Sequence, residues 1–534
     1  MRLTKSAVAS IALAIHWKLT DAFAPNLGAQ SINVQRLLKN TPSSGPPGEL
    51  HVLASQASAA ATFPQFNFTQ PLDHFAKTGH TFQQRYWLST RHFNPDSTAP
   101  VPVIVLDGGE TSGEDRLSYL DTGIVDILTA ATGGVGVVLE HRYYGESVPV
   151  ENFTTDSLRW LNNDQAAADS ANFMANVKFP GIDIDLTAPN TPWIYYGGSY
   201  AGARSAHMRV LYPKLVYGAI ASSGVTFATL KDWQYFDIIR RFGPKDCITQ
   251  VQTSISEVDA LLAKGGKARA AIKQTFGLEN LTHDADFGSL LASPLGAWQD
   301  NNWDAAVGST SFARFCTAMG TPNNTRVEIA SGIKVNAAVL NYAAYVNRTL
   351  AARCRPPNTQ DDCFGTLDPS AYTDSDLSQT WRLWTFQYCT QWGFFSVAPP
   401  SNVPTIVTRL MTLDYAKLIC EFAFPPGKHF KVPSLPDIAS VNKLGGLNIA
   451  ADRLAIIDGQ ADPWRPNTPH SDDAHPRRDT TLRPFKLIPG AVHHWDENGL
   501  TNSTAEPATI QAIHQEEVQF VKAWLKDFKK PRRP

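Results

Sequence analysis

Thr191–Ala206 reads TPWIYYGGSYAGARSA. Trp193 to Tyr196 is a continuous apolar run, as expected of a buried strand. Gly197 and Gly198 then permit a tight turn, Ser199 sits at its tip, and from Tyr200 the composition favours a helix. Strand, glycine turn, serine and helix make a nucleophile elbow, in which a strained turn pushes a serine Oγ out above a sheet. The G-x-S-x-G spacing asks for glycine at 201, and this chain has Ala201 with Gly202 one place later. A small residue meets the same packing need. An ordinary serine in a glycine turn would look alike, so the rest of the chain has to supply an acid and then a histidine.

The chain has 534 residues, more than one ordinary domain. Hydrophobic residues make up 43% and charged residues 18%, with a formal net charge of −2, so composition makes no case for nucleic acid or an anionic membrane. Residues 1–24 read as a secretory signal peptide: Arg2 and Lys5, the short apolar run Ser6–Trp17, and small residues at Ala22-Phe23-Ala24. An N-terminal helix that stays attached is the alternative. No later stretch is long and apolar enough to cross a bilayer. Asn67, Asn152, Asn280, Asn323, Asn347 and Asn502 each open a glycosylation triplet, which agrees with secretion. All six cysteines lie between Cys247 and Cys420, an even set in an exported chain, and suggest disulfides. Cys354 and Cys363 bracket a turn-rich loop and form the local pair; Cys247–Cys316 and Cys389–Cys420 are the pairs expected of the rest. No spacing suggests a metal site and no cofactor is expected; His470 and His475, in HSDDAH, are read as part of a solvated excursion.

Along the chain, residues 25–62 are rich in Ser, Ala, Gly and Pro and read as a flexible leader or pro-segment. Thr81–Trp87 alternates like a strand, and Pro102–Leu106 and Gly136–Leu139 read as buried parallel strands. Leu161–Val177 reads as a helix, and Tyr217–Ala221 as another strand. Strands alternating with helices argue for a mostly parallel sheet covered on both faces. From about Ala228 to Pro433 the pattern turns helical and loop-like, as an inserted second domain would. Strands resume at Arg453–Ile457 and Pro484–Ile488, and Glu506–Phe528 closes the chain as an amphipathic helix before a basic tail at 529–534.

The strand at 453–457 runs into Asp458-Gly459-Gln460-Ala461-Asp462-Pro463-Trp464, and the next leads to Val492-His493-His494. Serine, aspartate and histidine thus follow in the order of an α/β-hydrolase triad, each just after a strand. The histidine would take the serine proton and return it to the leaving group, while the aspartate fixes the imidazole tautomer. Backbone N–H donors for the oxyanion are expected from Tyr200 and from Gly108-Gly109-Glu110, with Gly109 and Glu110 as candidates. Asp458 competes with Asp462, and His494 competes with His493.

Several stretches together resemble one family of serine peptidases, which includes lysosomal Pro-Xaa carboxypeptidase, dipeptidyl peptidase II and thymus-specific serine protease. They are Gln70–Phe75 (QPLDHF), Gly108-Gly109-Glu110, Glu140–Ser147 (EHRYYGES), Asp164–Asp169 (DQAAAD), Gly197–Tyr200, Gln387–Thr390 (QYCT), Asp462-Pro463-Trp464 and His493-His494. The resemblance implies an α/β-hydrolase domain built from residues 63–227 and 434–528, with a helical, disulfide-bonded lid at 228–433. It implies cleavage beside proline, often at acidic pH, and a triad of Ser199, Asp462 and His493. It puts Trp464 at the substrate pocket, where an aromatic face would take the proline ring; a loop beside a catalytic acid has little core to fill. Trp381, Trp384, Phe386, Tyr388 and Trp392 of the lid are a second aromatic group, each read singly as core. The chain departs from the family pattern at Ala201, at Val492, which adds a residue before the double histidine, and in the length of the excursion before His493. The expected function is a secreted serine exopeptidase acting on proline-containing peptides, outside the cell or in an acidic compartment, with a homodimer left open. A secreted esterase or lipase of the same fold and a non-catalytic binding protein are the competing readings.

Overall fold

The computed structural model describes residues 25–40 and 62–530; the signal segment, residues 41–61 and the last four residues of the basic tail lie outside the described residues. The first element is helix α1 (Ala29–Asn40). Eight strands then form one sheet: β1 (Gln65–Pro71), β2 (Thr81–Ser89), β3 (Val103–Asp107), β4 (Val135–Leu139), β5 (Trp193–Gly198), β6 (Val216–Ser222), β7 (Leu454–Gly459) and β8 (Phe485–Ile488). Their spatial order is β1-β2-β4-β3-β5-β6-β7-β8. Pairs β1–β2 and β2–β4 are antiparallel and all the others are parallel.

The continuous apolar runs become central strands because both faces of a parallel sheet are covered. On one face Val103, Val105, Trp193 and Tyr195 pack with Phe173 and Met174 of α3 (Asn163–Asn176). On the other, Ile104, Leu106, Ile194 and Tyr196 pack with Leu128 of α2 (Ile124–Thr132) and with Phe520 and Trp524 of the closing helix Ala508–Lys526. Asn162 caps α3 by accepting the Gln165 N–H, which sets its start one turn before the buried Ala166–Ala168 stretch. The elbow helix, α4, spans Ser199–Leu211.

Between β6 and β7 the chain is mainly helical. The long helix α5 (Lys245–Lys264) and its neighbours build a separate apolar core, and two short two-stranded ribbons complete the segment. This core also takes in Tyr200 and Ala203 of α4, so the insertion packs directly on the elbow helix. Cystines Cys247–Cys316, Cys354–Cys363 and Cys389–Cys420 are formed, as expected.

The expectation of a flexible leader is corrected for residues 25–40. Leu27, Ala29 and Ile32 are buried in the core of the insertion. Asn26 bridges Phe395, Asn33 donates to the Gly365 carbonyl at 2.7 Å, and Arg36 lies over the rings of Tyr372 and Trp381. Small and polar residues dominate the composition of 25–62, but Leu27, Ala29 and Ile32, with Val34 and Leu37 partly buried beside them, find a ready partner surface in the insertion.

Candidate active site

Strand β5 ends at Gly197-Gly198, and Ser199 follows with φ 61°. A non-glycine residue in the left-handed region is strained, and the close packing on both sides of the turn holds it there. A Cβ on Gly197 would lie 2.2 Å from the Ala201 carbonyl oxygen, and one on Gly202 would lie 2.7 Å from the Ser222 oxygen. Only glycine fits at either place. Ala201 is tolerated because its methyl group faces Gly109, which has no side chain to meet it.

The acid and the histidine come from the loops after β7 and β8. These loops are tied to each other: the Gln460 N–H donates to Ile488 O at 3.0 Å and the Ala461 N–H to Ala491 O at 2.8 Å. Asp462 is fully buried; one oxygen accepts the Trp464 N–H at 2.9 Å and the other lies 2.9 Å from His493 Nδ1. His493 Nε2 lies 2.7 Å from Ser199 Oγ. With Nδ1–H donated to the carboxylate, Nε2 is left to accept the serine hydroxyl proton. Burial alone would raise the Asp462 carboxyl, but the His493 charge and hydrogen bond outweigh it and hold it below the usual carboxylate range. Burial depresses the His493 imidazole, and Asp462 recovers only part of the loss. The imidazole therefore stays neutral into the acid range, as a general base there must be.

The two competitors have other partners. Asp458 accepts from the Thr468 hydroxyl at 2.8 Å and pairs with His470 at 2.6 Å. His470 in turn stacks on Phe485 at 3.6 Å, so this part of the excursion is packed and not simply solvated as expected. His494 has φ 36°, donates its N–H to Ser223 Oγ, and pairs through Nδ1 with Glu497 at 3.0 Å. Its ring lies 4.5 Å from that of His493.

One of the three expected oxyanion donors is corrected. The Gly109 N–H donates to Asp107 at 2.9 Å and is occupied. Glu110, the next residue, and Tyr200, in the first turn of α4 where amide groups have no intrahelical acceptor, remain.

Trp464 is also placed differently from expectation. It is 2% exposed, packed edge-to-face against Tyr235 and Phe394, and its indole N–H donates to Gln299 at 3.0 Å. The loop beside the acid has a core to fill after all, and the insertion supplies it. Among the five aromatic residues of the lid group, Trp384 is half-buried and packs edge-to-face on Tyr200, the residue after Ser199.

A loop that sequence reasoning did not single out joins these parts. Trp298 donates to Ala461 O at 2.9 Å, Trp303 donates to Trp495 O at 2.9 Å, and Trp495 donates to Asn301 O at 2.8 Å. Residues 298–303 thus grip both the aspartate loop and the histidine loop. Nothing local signals this, because the partners are about two hundred positions away in the chain. Among the described residues, no group of three or more His, Cys, Asp or Glu side chains converges to hold a metal ion, and no helix is long and apolar enough to cross a membrane. Of the glycosylation triplets, Asn67, Asn280, Asn323, Asn347 and Asn502 are exposed, while Asn152 is half-buried with its side-chain oxygen accepting from Thr154 and Ser157.

Comparison with known proteins gives the family. The family described as "Serine carboxypeptidase S28" matches residues 70–516. A protein of Arthroderma benhamiae named "Probable extracellular serine carboxypeptidase" is 40% identical, covering 92% of this chain and 73% of that one. Serine protease vicPa of Bipolaris victoriae is 29% identical over 86% of this chain and 88% of its own. The thymus-specific serine protease of mouse is 28% identical over 86% and 87%. A solved proline iminopeptidase of Mycobacterium smegmatis overlaps 86% of this chain and 99% of its own with a TM-score of 0.35 at 13% identity, too little to add to what the strand order already says. The match along nearly the whole hydrolase sheet and the insertion, together with a relative at 40% identity, establishes that this chain belongs to the serine carboxypeptidase S28 family and is a serine peptidase.

Proposed function

We propose that this chain is a secreted exopeptidase that cleaves peptide bonds beside proline through an acyl-enzyme on Ser199. The observation that carries the reading is the hydrogen-bonded line Ser199–His493–Asp462 at the tip of a strained turn. His493 takes the hydroxyl proton as Ser199 attacks the carbonyl, then delivers it to the leaving amine. The N–H groups of Tyr200 and Glu110 face the developing oxyanion. Water then attacks the acyl-enzyme by the same proton path. The half-buried face of Trp384 beside Tyr200 is the wall offered to the proline ring. Extracellular action agrees with the name of the fungal relative.

The test is Ser199→Ala together with a pair of matched peptides bearing proline or alanine at the residue whose carbonyl is attacked. Turnover and fluorophosphonate labelling are lost in Ser199→Ala with the fold intact. Trp384→Ala lowers kcat/KM on the proline peptide about 5- to 100-fold more than on the alanine peptide, the scale of a lost apolar contact. Full activity in Ser199→Ala refutes the mechanism; an equal loss on both peptides refutes the ring contact. An ester cleaved well beside peptides left intact favours the esterase reading.

A further inference from the structure

The segment that leaves β6 touches all three parts of the triad, and the chemistry derived above gives it no task. Ser223, the first residue past β6, is fully buried. Its φ of 45° lies in the left-handed region, where a serine is strained and persists only when its surroundings hold it. Those surroundings are specific. The Ser223 N–H donates to Ile457 O of β7 at 2.7 Å. Its Oγ accepts the N–H of His494, the residue after the base, at 2.9 Å. The same hydroxyl hydrogen-bonds the Asp462 carboxylate. Two residues on, the Val225 N–H donates to Ser199 O at 3.3 Å. On the other side, Ser222 Oγ donates to Asp496 at 2.6 Å, a second hold on the histidine loop.

The directions of these bonds follow from what each group can give. A backbone N–H only donates, so Oγ is the acceptor toward His494. The hydroxyl has one proton and an ionised carboxylate can only accept, so that proton goes to Asp462. Asp462 thus accepts from the Trp464 N–H, from His493 Nδ1 and from Ser223. Trp464 lies two residues along the same loop and moves with it. His493 is the group to be positioned. Ser223 is the partner that refers the carboxylate to the sheet. We propose that Ser223 is a positioning residue of the peptidase: its hydroxyl bridges the aspartate loop and the histidine loop, anchors both to the end of β6, and so sets the contact between Asp462 and His493. This rests on the triad reading above and adds to it a residue buried out of reach of substrate.

The proposal has a signature in pH. Burial depresses the His493 imidazole, and contact with Asp462 offsets part of that. The other charges facing the pair are His494 and Glu497, which lie 3.0 Å apart as a pair of their own. Tyr235, beside Asp462, stays neutral because burial pushes its hydroxyl well up. A carboxylate that has lost its anchor holds Nδ1 less closely, and burial then lowers the imidazole further. The neutral form persists to lower pH, but as a weaker and poorly aligned base.

The test is Ser223→Gly beside Ser223→Ala. Both lack the hydroxyl, but glycine takes a φ of 45° without strain and alanine does not. Fluorophosphonate labelling, followed across the acid range, reads His493 with a probe that carries no titrating group. In both variants the plateau rate and kcat fall about 10- to 100-fold, the scale of one hydrogen bond to a charged group, with KM little changed. The acid limb moves to lower pH. The thermal midpoint is higher for glycine than for alanine, with no return of rate. Should the alanine variant not fold, the glycine variant carries the test. A lower plateau with the acid limb unmoved means fewer intact molecules and overturns the proposal. So does a limb that moves to higher pH, which would show the hydroxyl drawing charge off Asp462 and not holding it in place, and so does a glycine variant as fast as the wild type. Each of these leaves the triad reading standing; full labelling in Ser199→Ala removes both.

Discussion

Gly459 ends β7 and is where the aspartate and histidine loops come closest. A Cβ placed on it would lie 1.9 Å from the carbonyl oxygen of Val492, the residue before His493. Real contacts of this kind do not fall below 3.0 Å, so in Gly459→Ala the peptide preceding His493 must retreat by roughly 1 Å; the backbone offers no flexible side chain to absorb it. The neighbouring bond from Ala461 N–H to Ala491 O pins the same stretch and is strained by the same movement. A displacement of that size between a base and its nucleophile costs roughly 100-fold in rate. Fluorophosphonate labelling of the folded enzyme reads the loss directly, because it depends on His493 deprotonating Ser199 and on no peptide contact. Gly490→Ala is the control. It lies on the histidine loop, has φ 69° and has open space where a Cβ would go. It should lower stability by about 1–2 kcal/mol through backbone strain, with labelling near normal. Labelling at the wild-type rate in Gly459→Ala, with the fold retained, would refute the view that contact between these two loops sets the His493–Ser199 geometry.

Three further outcomes are expected. His493→Ala should reduce kcat by several orders of magnitude, and Asp462→Asn should do nearly as much through loss of the tautomer; a nearly normal His493→Ala would move the base to another residue. Reduction of the three cystines, each worth about 2–4 kcal/mol, should loosen the insertion before the sheet, because all six cysteines lie outside the sheet strands; a single transition with unchanged midpoint would contradict this. Stability should fall from pH 5 to pH 8: Glu110 and Asp232 are pushed up to about 7 and Asp496 to about 6 by burial. Each folded-state value lies above the unfolded one, so this contribution is full below about pH 4 and is lost as pH rises through about 6 to 7, each group costing roughly 1.4 kcal/mol for every pH unit that separates its two values. A thermal midpoint that is flat or rising over that range would show that these carboxyls are not buried as described.

The strands and the elbow were legible because their causes are local. Apolar runs such as Val103–Leu106 need only their own composition to announce a covered strand. The turn at Gly197–Ser199 is announced by its own glycines, and Gly197 meets the carbonyl of Ala201 only four positions on. That the cysteines pair was legible from their even number and their confinement to one segment, and Cys354–Cys363 from the short loop between them, but the other two pairs are among several the sequence allows. Other readings failed where the decisive neighbour is distant. Residues 25–40 looked loose by composition, and only the groove in the insertion makes α1 a packed element. Trp464 looked like a pocket wall because its own loop offers no core, yet Tyr235 and Phe394 bring one to it. Gly109 was an attractive oxyanion donor until Asp107 turned back to take its N–H.

By itself, the sequence determined the kind of sheet, the place of the nucleophile, the order in which acid and base follow it and the family, since each rests on backbone conformation and composition within a few residues. The resemblance pointed to Asp462 and His493, and only the tertiary structure puts these two in line with Ser199 while giving Asp458 and His494 other partners. Those outcomes depend on distances of a few ångströms between residues separated by hundreds of positions. Such distances are set when the two halves of the sheet and the insertion close on one another, and no local property of the chain records them.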